Sequence, residues 1–177
     1  TNMKSHYAAQ DAVKAAQKGY DIAEAAYKVG RSTLIELNDA QLALTQAQLA
    51  ASQAIYNFVV NGMKYDKELA ANVTSGYVPN LDAVLSKMSG ICFDYAALMT
   101  GMLRSQGVPT KLVVGYAGDA YHAWINVYSE DTGWIDGVIY FDGAKWMRMD
   151  PTFAANGGSD IMDYIGNGTN YSGKYFY

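Results

Sequence analysis

The chain has 177 residues, half of them apolar, which is enough for one packed domain or for one domain with an appendage. Its net charge of −4 at pH 7 gives no basis for nucleic-acid binding. A single cysteine excludes an internal disulfide framework, and no apolar run is long enough to form a transmembrane segment.

The composition of the chain changes near residue 60. All three prolines and all three tryptophans lie after that point, and only Gly19 and Gly30 of the 17 glycines lie before it. Glycine and proline mark turns, so their distribution separates a helical part from a turn-rich part. We therefore predict two domains, residues 1–60 and residues 61–177, with the first helix of the second domain beginning near residue 55.

Two long helices are predicted in the first domain. Helical spacing extends from Met3 to about Lys28, and a second helix extends from about Leu34 to Val60. Gly30 supplies a C-terminal stop, and Thr33 with Glu36 has the spacing of a capping box. Two such helices with a short link predict an antiparallel hairpin.

A family resemblance is carried by the run YKVGRSTLIELNDAQ at residues 27–41. This run is similar to the helical repeat of outer-membrane efflux proteins of the TolC type, and the resemblance covers about residues 1–60. It does not imply export, because the segment contains no strands from which a barrel could close.

The cysteine begins a helix in the second domain. Cys92 to about Gln106 has helical spacing of apolar residues, and Gly107 ends it. Unpaired N–H groups at a helix N-terminus favour a negative charge, which makes a thiolate available near neutral pH. Asp94 in the first turn is expected to support the helix N-terminus. Without further motifs, an isolated cysteine is more often a small buried residue.

Two later strands offer the partners that a nucleophilic thiolate needs. His122 lies in a predicted strand from Tyr121 to Ser129, and Asp150 ends a predicted strand from Lys145. Asp142 competes for the acidic role, but its Asp-Gly context is typical of a hairpin turn. Cysteine, histidine and aspartate in these positions form a nucleophile, a base and an orienting group.

Five motifs occur in order: GICFDYA at residues 90–96, LRSQGVP at 103–109, VGY at 114–116, HAW at 122–124 and MDPT at 149–152. Together they resemble a transglutaminase-like domain, a superfamily with a papain-like arrangement, over about residues 55–177. The resemblance implies a Cys92–His122–Asp150 catalytic triad and cysteine-dependent acyl transfer or hydrolysis at peptide or protein amides. Water as acceptor would give a peptidase or amidase, and a lysine amine would give a crosslinking transglutaminase.

The predicted fold class is α+β, with the helical hairpin followed by a helix carrying Cys92 that packs on a mostly antiparallel sheet carrying His122 and Asp150. Trp124 is a candidate substrate-binding wall, although a tryptophan on a strand more often serves packing. No zinc-ligand pattern and no glycine-rich phosphate loop occurs in the sequence. We therefore expect no metal and no cofactor.

The two resemblances meet at residues 55–60, which leads to the hypothesis of a fusion or recombinant protein joined in this helix. The alternative to an enzyme is a peptide-binding or helix-mediated interaction module, or a chimera with impaired activity. Expected partners are a peptide or protein substrate and, through the N-terminal helices, a second copy of the chain. Resemblance favours the cell envelope or extracellular space over the cytoplasm, and residues 1–4 show no signal-peptide pattern.

Overall fold

The computed structural model describes residues 2–129, 133–135, 140–141, 146–147, 152, 155 and 169–177. The chain divides into two compact units, Thr1–Ala54 and Ile55–Tyr177. No helix in the described part of the chain combines the length and apolarity needed to cross a bilayer.

The first unit is built from two long helices, as the sequence predicts. Helix α1 (Asn2–Lys28) and helix α2 (Leu34–Gly62) are joined by a short link, and α2 continues into the second unit. A small apolar cluster packs the two helices together, with Val13 of α1 and Leu44 of α2 each only 6% exposed.

The link between these helices has the predicted caps. Gly30 adopts a φ of +71°, and the amide of Arg31 donates to the carbonyl of Ala26 at 2.8 Å, which ends α1 in a left-handed turn. Thr33 and Glu36 form the capping box, with 2.8 Å from the Thr33 amide to the carboxylate and 3.2 Å from the Glu36 amide to the hydroxyl.

The second unit mixes helices and strands in the order β1 (Lys64–Tyr65), α3 (Lys67–Asn72), α4 (Leu81–Lys87), β2 (Ser89–Gly90), α5 (Cys92–Ser105), β3 (Thr110–Ala117), β4 (Ala120–Ser129), β5 (Gly133–Ile135), β6 (Tyr140–Phe141), β7 (Trp146–Met147) and β8 (Tyr171–Phe176). The main sheet has the strand order β5-β4-β3-β8, and each neighbouring pair is antiparallel. A separate parallel pair joins β1 to β2, and β6 pairs with β7.

The core of the second unit lies between α5 and the main sheet. Tyr95, Met99 and Leu103 recur at four-residue steps along α5, and all three are fully buried. They pack in one cluster with Ile125 and Val127, which alternate along β4. This contact fixes the helix that begins at Cys92 against the strand that carries His122.

The predicted helix from Cys92 and the predicted strand from Tyr121 to Ser129 agree with the structure to within one residue at each end. Of the predicted strand from Lys145 to Asp150, Trp146 and Met147 are described, whereas Asp150 lies outside the described residues.

Strand β8 was not predicted, because the sequence after residue 153 has the composition of a glycine-rich tail. The structure pairs β8 with β3, but the register shifts between Val114, which faces Tyr175, and Gly115, which faces Gly173. Lys174 is thus the extra residue of a β-bulge, and a bulge interrupts the alternation by which a strand is recognised.

Two glycines allow β3 and β8 to approach closely at the bulge. A Cβ atom on Gly115 would collide with the carbonyl oxygen of Ser172, and one on Gly173 would lie 2.9 Å from a Val113 methyl carbon. Any side chain at Gly115 would therefore force the strands apart.

We predict that Gly115→Ala destabilises the second unit by about 1–3 kcal/mol, because the added methyl group overpacks the strand pair. All three tryptophans lie in this unit, so tryptophan fluorescence during urea unfolding measures the effect. Gly101→Ala is the control, since its Cβ meets only the end of the flexible Leu81 side chain at 3.3 Å. Equal urea midpoints for Gly115→Ala and the parent chain would contradict the prediction.

Candidate functional site

A pocket of about 640 Å³ in the second unit is lined by both Cys92 and His122. Its walls come from the start of α5, from β3 and β4, and from residues 73–77 between α3 and α4. Cys92 is a free, partly exposed cysteine, whereas His122 is only 6% exposed. The sulfur is therefore open to a ligand, while the imidazole is shielded from bulk water.

The parallel strand pair holds the chain that leads into Cys92. The amide of Lys64 donates to the carbonyl of Met88, and the amide of Asp66 donates to the carbonyl of Gly90, both at 2.9 Å. Residue 91 is the N-cap, and Cys92 is the first residue of α5. Cys92 therefore lies at the positive end of a 14-residue helix, as predicted.

Asp94 is the buried group around which this helix start is organised. Its side chain has no exposed surface, and its Oδ2 accepts from the Ile91 amide at 2.8 Å while its Oδ1 accepts from the Tyr77 hydroxyl at 2.7 Å. Gly90 leaves room for this arrangement, since a Cβ there would lie 2.6 Å from Oδ2. One carboxylate thus joins the helix N-terminus to the wall formed by residues 73–77.

Tyr77 keeps its proton, and its hydroxyl donates a hydrogen bond to Asp94. Burial raises the pKa of Tyr77 well above its usual value, and the hydrogen bond to Asp94 with the charges of Asp94 and Asp66 raises it further. The Tyr77 ring also meets the Phe93 ring edge to face, with centroids 6.4 Å apart.

His122 is positioned by β4 and by the aromatic ring next to it on the same face. It pairs with Gly115 across the strands, and its ring stacks on Trp124 with centroids 6.2 Å apart and planes 22° apart. Trp124 is 3% exposed and meets Tyr171 edge to face at 5.1 Å. A Cβ on Gly115 would lie 2.9 Å from the Trp124 ring, so the glycine makes space for it.

Trp124 is not among the described residues that line the pocket, and its contacts place it behind His122. The expectation that it binds substrate stays untested, while the packing interpretation fits its burial. Asp150 lies outside the described residues, so its distance from His122 is not part of the described geometry.

Tyr65 is a pocket residue that the sequence analysis did not single out. Burial raises the pKa of its hydroxyl, and the negative charge of a Cys92 thiolate raises it further. Tyr65 and Cys92 line the same pocket. A two-residue strand has no periodicity that a sequence could reveal, and only the pairing of Tyr65 with Gly90 brings it beside Cys92.

The described residues contain no group of three or more His, Cys, Asp or Glu side chains that could hold a metal ion. The described residues that line the pocket supply a thiol, an imidazole, phenolic hydroxyls and the ammonium group of Lys174. These groups suit nucleophilic attack and proton transfer.

Comparison with known proteins gives the family. Residues 35–137, more than half of the 177 residues, match the family model described as the transglutaminase-like superfamily. The chain belongs to the transglutaminase-like superfamily. The matched range includes Cys92, His122 and residues 55–60, where the fusion hypothesis places a junction.

Individual relatives cover the chain only in part. A protein-glutamine gamma-glutamyltransferase from Pseudomonas aeruginosa is 32% identical, over 30% of this chain and 10% of its own length. The periplasmic domain of TgpA from the same species has a TM-score of 0.43 and 20% identity, over 68% of this chain and 40% of that one. A structure described as a TGase has a TM-score of 0.41 and 22% identity, over 90% of this chain and 36% of that one.

This chain thus spans about a tenth of the curated relative, and the family assignment rests on the family model. The comparisons lend no support to the efflux-protein resemblance of residues 1–60 or to a fusion. Both stay hypotheses, and the range matched by the family model extends to both sides of residues 55–60.

We predict that Tyr77→Phe lowers the free energy of unfolding of the second unit by about 2 kcal/mol near pH 7, because a buried carboxylate loses a hydrogen-bond donor. The pKa of Tyr77 is higher in the folded chain than its unfolded value of about 10. The stabilisation is therefore complete below about pH 10 and is lost as the pH rises further.

The measurement is urea unfolding of the parent chain and of Tyr77→Phe from pH 7 to pH 11, followed by tryptophan fluorescence. The difference between them should be constant up to about pH 10 and narrow above it. Tyr121→Phe is the control, since the Tyr121 side chain is 59% exposed. A difference that grows with pH would contradict the assigned hydrogen bond.

Proposed function

We propose that this chain catalyses cysteine-dependent acyl transfer or hydrolysis at peptide or protein amides, with Cys92 as nucleophile and His122 as base. The observation that carries the proposal is the shared pocket, in which a partly exposed thiol at a helix N-terminus and a shielded imidazole line one space. Membership of the transglutaminase-like superfamily supports the same chemistry.

In the proposed mechanism, His122 accepts the thiol proton of Cys92, and the helix N-terminus stabilises the resulting thiolate. The sulfur attacks the amide carbonyl carbon and forms a tetrahedral oxyanion. The C–N bond then breaks, the leaving nitrogen takes the proton from the imidazolium, and a thioester remains on Cys92. By family resemblance, Asp150 would orient the imidazole through its second nitrogen.

The oxyanion needs hydrogen-bond donors that are in place before the reaction. The backbone amide of Cys92 is one candidate at the start of α5. We assign the second to the Tyr65 hydroxyl, because Tyr65 lines the same pocket as Cys92 and a phenol carries its proton at neutral pH. The pairing of β1 with β2 holds this tyrosine in position.

Water or a primary amine would complete the reaction by attacking the thioester, with His122 as base, which regenerates the thiolate–imidazolium pair. The name of the Pseudomonas relative favours a glutamine side chain as acyl donor. Incubation of a glutamine-containing peptide with a fluorescent primary amine separates the outcomes by mass spectrometry. Amine incorporation identifies a transglutaminase, conversion of glutamine to glutamate an amidase, and backbone cleavage a peptidase.

The first prediction of this mechanism concerns thiol reactivity. Cys92 is the only cysteine, so each carbamidomethyl adduct formed by iodoacetamide reports on it alone. We expect alkylation at pH 7 to be about tenfold faster than for a free peptide thiol, and His122→Ala to remove this advantage.

His6→Ala is the matched control for this experiment, because His6 is the only other histidine and lies in the first unit. It should leave the alkylation rate unchanged. If the parent chain is alkylated at the rate of a free peptide thiol and His122→Ala does not change that rate, the enzyme interpretation is wrong. The non-catalytic peptide-binding interpretation then takes its place.

The second prediction separates stabilisation of the oxyanion from activation of the thiol. Tyr65→Phe should lower kcat about a hundredfold, as expected when one oxyanion donor is removed, while the iodoacetamide rate stays the same. Tyr128→Phe is the control, since this tyrosine lies on β4 and is not among the described residues that line the pocket. Equal kcat values for Tyr65→Phe and the parent chain would remove Tyr65 from the mechanism.

A further inference from the structure

The bulge in β8 places a lysine side chain at the pocket. Lys174 is the residue that the bulge adds between Tyr175 and Gly173, and it lines the pocket. A bulge redirects the side chain of the extra residue, and bulges are frequent beside active sites for this reason. The contact of Gly115 and Gly173 with the neighbouring strand leaves this geometry little freedom to relax.

Strand β8 is also fastened to the helix that carries Cys92. Arg104 of α5 donates from Nε to the carbonyl of Thr110 at 2.9 Å and from Nη2 to the carbonyl of Tyr177 at 2.8 Å. Tyr177 and Leu112 exchange two backbone hydrogen bonds of 2.9 and 3.1 Å just beyond β8. Lys174 therefore belongs to a strand with a fixed position relative to α5 and β3.

Among the described residues that line the pocket, Lys174 is the only one with a charged side chain. The whole chain carries a net charge of −4, so a cation in the pocket differs in sign from the protein as a whole. The described contacts of its Nζ atom include the Tyr175 ring at 5.4 Å but no carboxylate. An ammonium group placed in this way is available to a ligand anion.

We propose that Lys174 is a specificity-determining residue that binds a carboxylate side chain of the acyl-donor peptide, an inference that rests on the proposed function. Tyr116 and Tyr121 flank this subsite, and their rings meet edge to face with centroids 5.4 Å apart. They offer apolar faces and hydroxyls to the part of the peptide between the carboxylate and the reacting amide. The substrate class is thus an acidic peptide.

The sheet register gives the distance across the sheet between strand β8, which carries Lys174, and strand β4, which carries His122. Gly173, Gly115 and His122 lie in one row across β8, β3 and β4. Two strand spacings of about 4.8 Å separate the ends of this row by about 10 Å. An extended peptide covers about 3.3 Å per residue, so about three residues span this row, and the carboxylate is tested at two to four residues from the reacting amide.

The test measures peptide binding without turnover. Cys92→Ala chains are titrated with fluorescent peptides that contain one reactive glutamine and either glutamate or glutamine at each position from two to four residues away on both sides. At one position we expect the glutamate peptide to bind about fivefold tighter than its neutral twin at low salt. This preference should weaken in 0.5 M salt.

Lys174→Met in the same background should abolish the preference, and Lys174→Glu should reverse it. Lys111→Met is the matched control, since Lys111 lies on the same sheet but stacks over the Trp134 ring at 3.7 Å and is not among the described pocket residues. It should retain the preference.

An equal affinity for both peptides at every position overturns the proposal, and so does a preference that survives Lys174→Met. The absence of binding by any peptide also counts against it. The proposed function is judged separately by turnover of the parent chain. Turnover without a glutamate preference removes the subsite alone, whereas a lysine-dependent preference without turnover removes the enzyme and leaves an acidic-peptide site.

Discussion

The paired carboxylate of Asp94 is the constraint on which the rest of the site depends. A carboxylate with no exposed surface is strongly unfavourable unless hydrogen bonds replace its water, and Asp94 receives them from the Ile91 amide and the Tyr77 hydroxyl. One donor belongs to the start of the helix that carries Cys92, and the other belongs to the pocket wall. The same buried carboxylate therefore fixes the position of Cys92 and the shape of the space in front of it.

Glycines let these parts approach closely enough for the contacts to form. Gly90 leaves room for the Asp94 side chain, and Gly115 leaves room for both the Trp124 ring and the backbone of β8. Trp124 in turn supports the His122 ring. The glycines therefore shape the pocket together with the residues that line it, because they carry no Cβ atom.

The elements that could be predicted from the sequence are those whose buried residues recur at a regular spacing. Tyr95, Met99 and Leu103 have a spacing that only a helix buries on one face, so α5 and its first residue were predicted correctly. Strand β8 and Tyr65 depend instead on pairing between distant segments, and a bulge or a two-residue strand leaves no periodic signal. The role of Asp150 remains a prediction, because that residue lies outside the described residues.

The pocket separates the groups proposed for chemistry from the group proposed for selectivity. His122 is held in the buried part of the second unit, where a change of side chain disturbs the packing around it. Lys174 stands exposed on the edge strand, and its position is set by a backbone bulge and not by contacts of its own side chain. Substitution of the lysine therefore changes the charge that a substrate meets while leaving the packing behind it in place. In this arrangement the substrate preference of the site can change without any movement of the thiol or the imidazole.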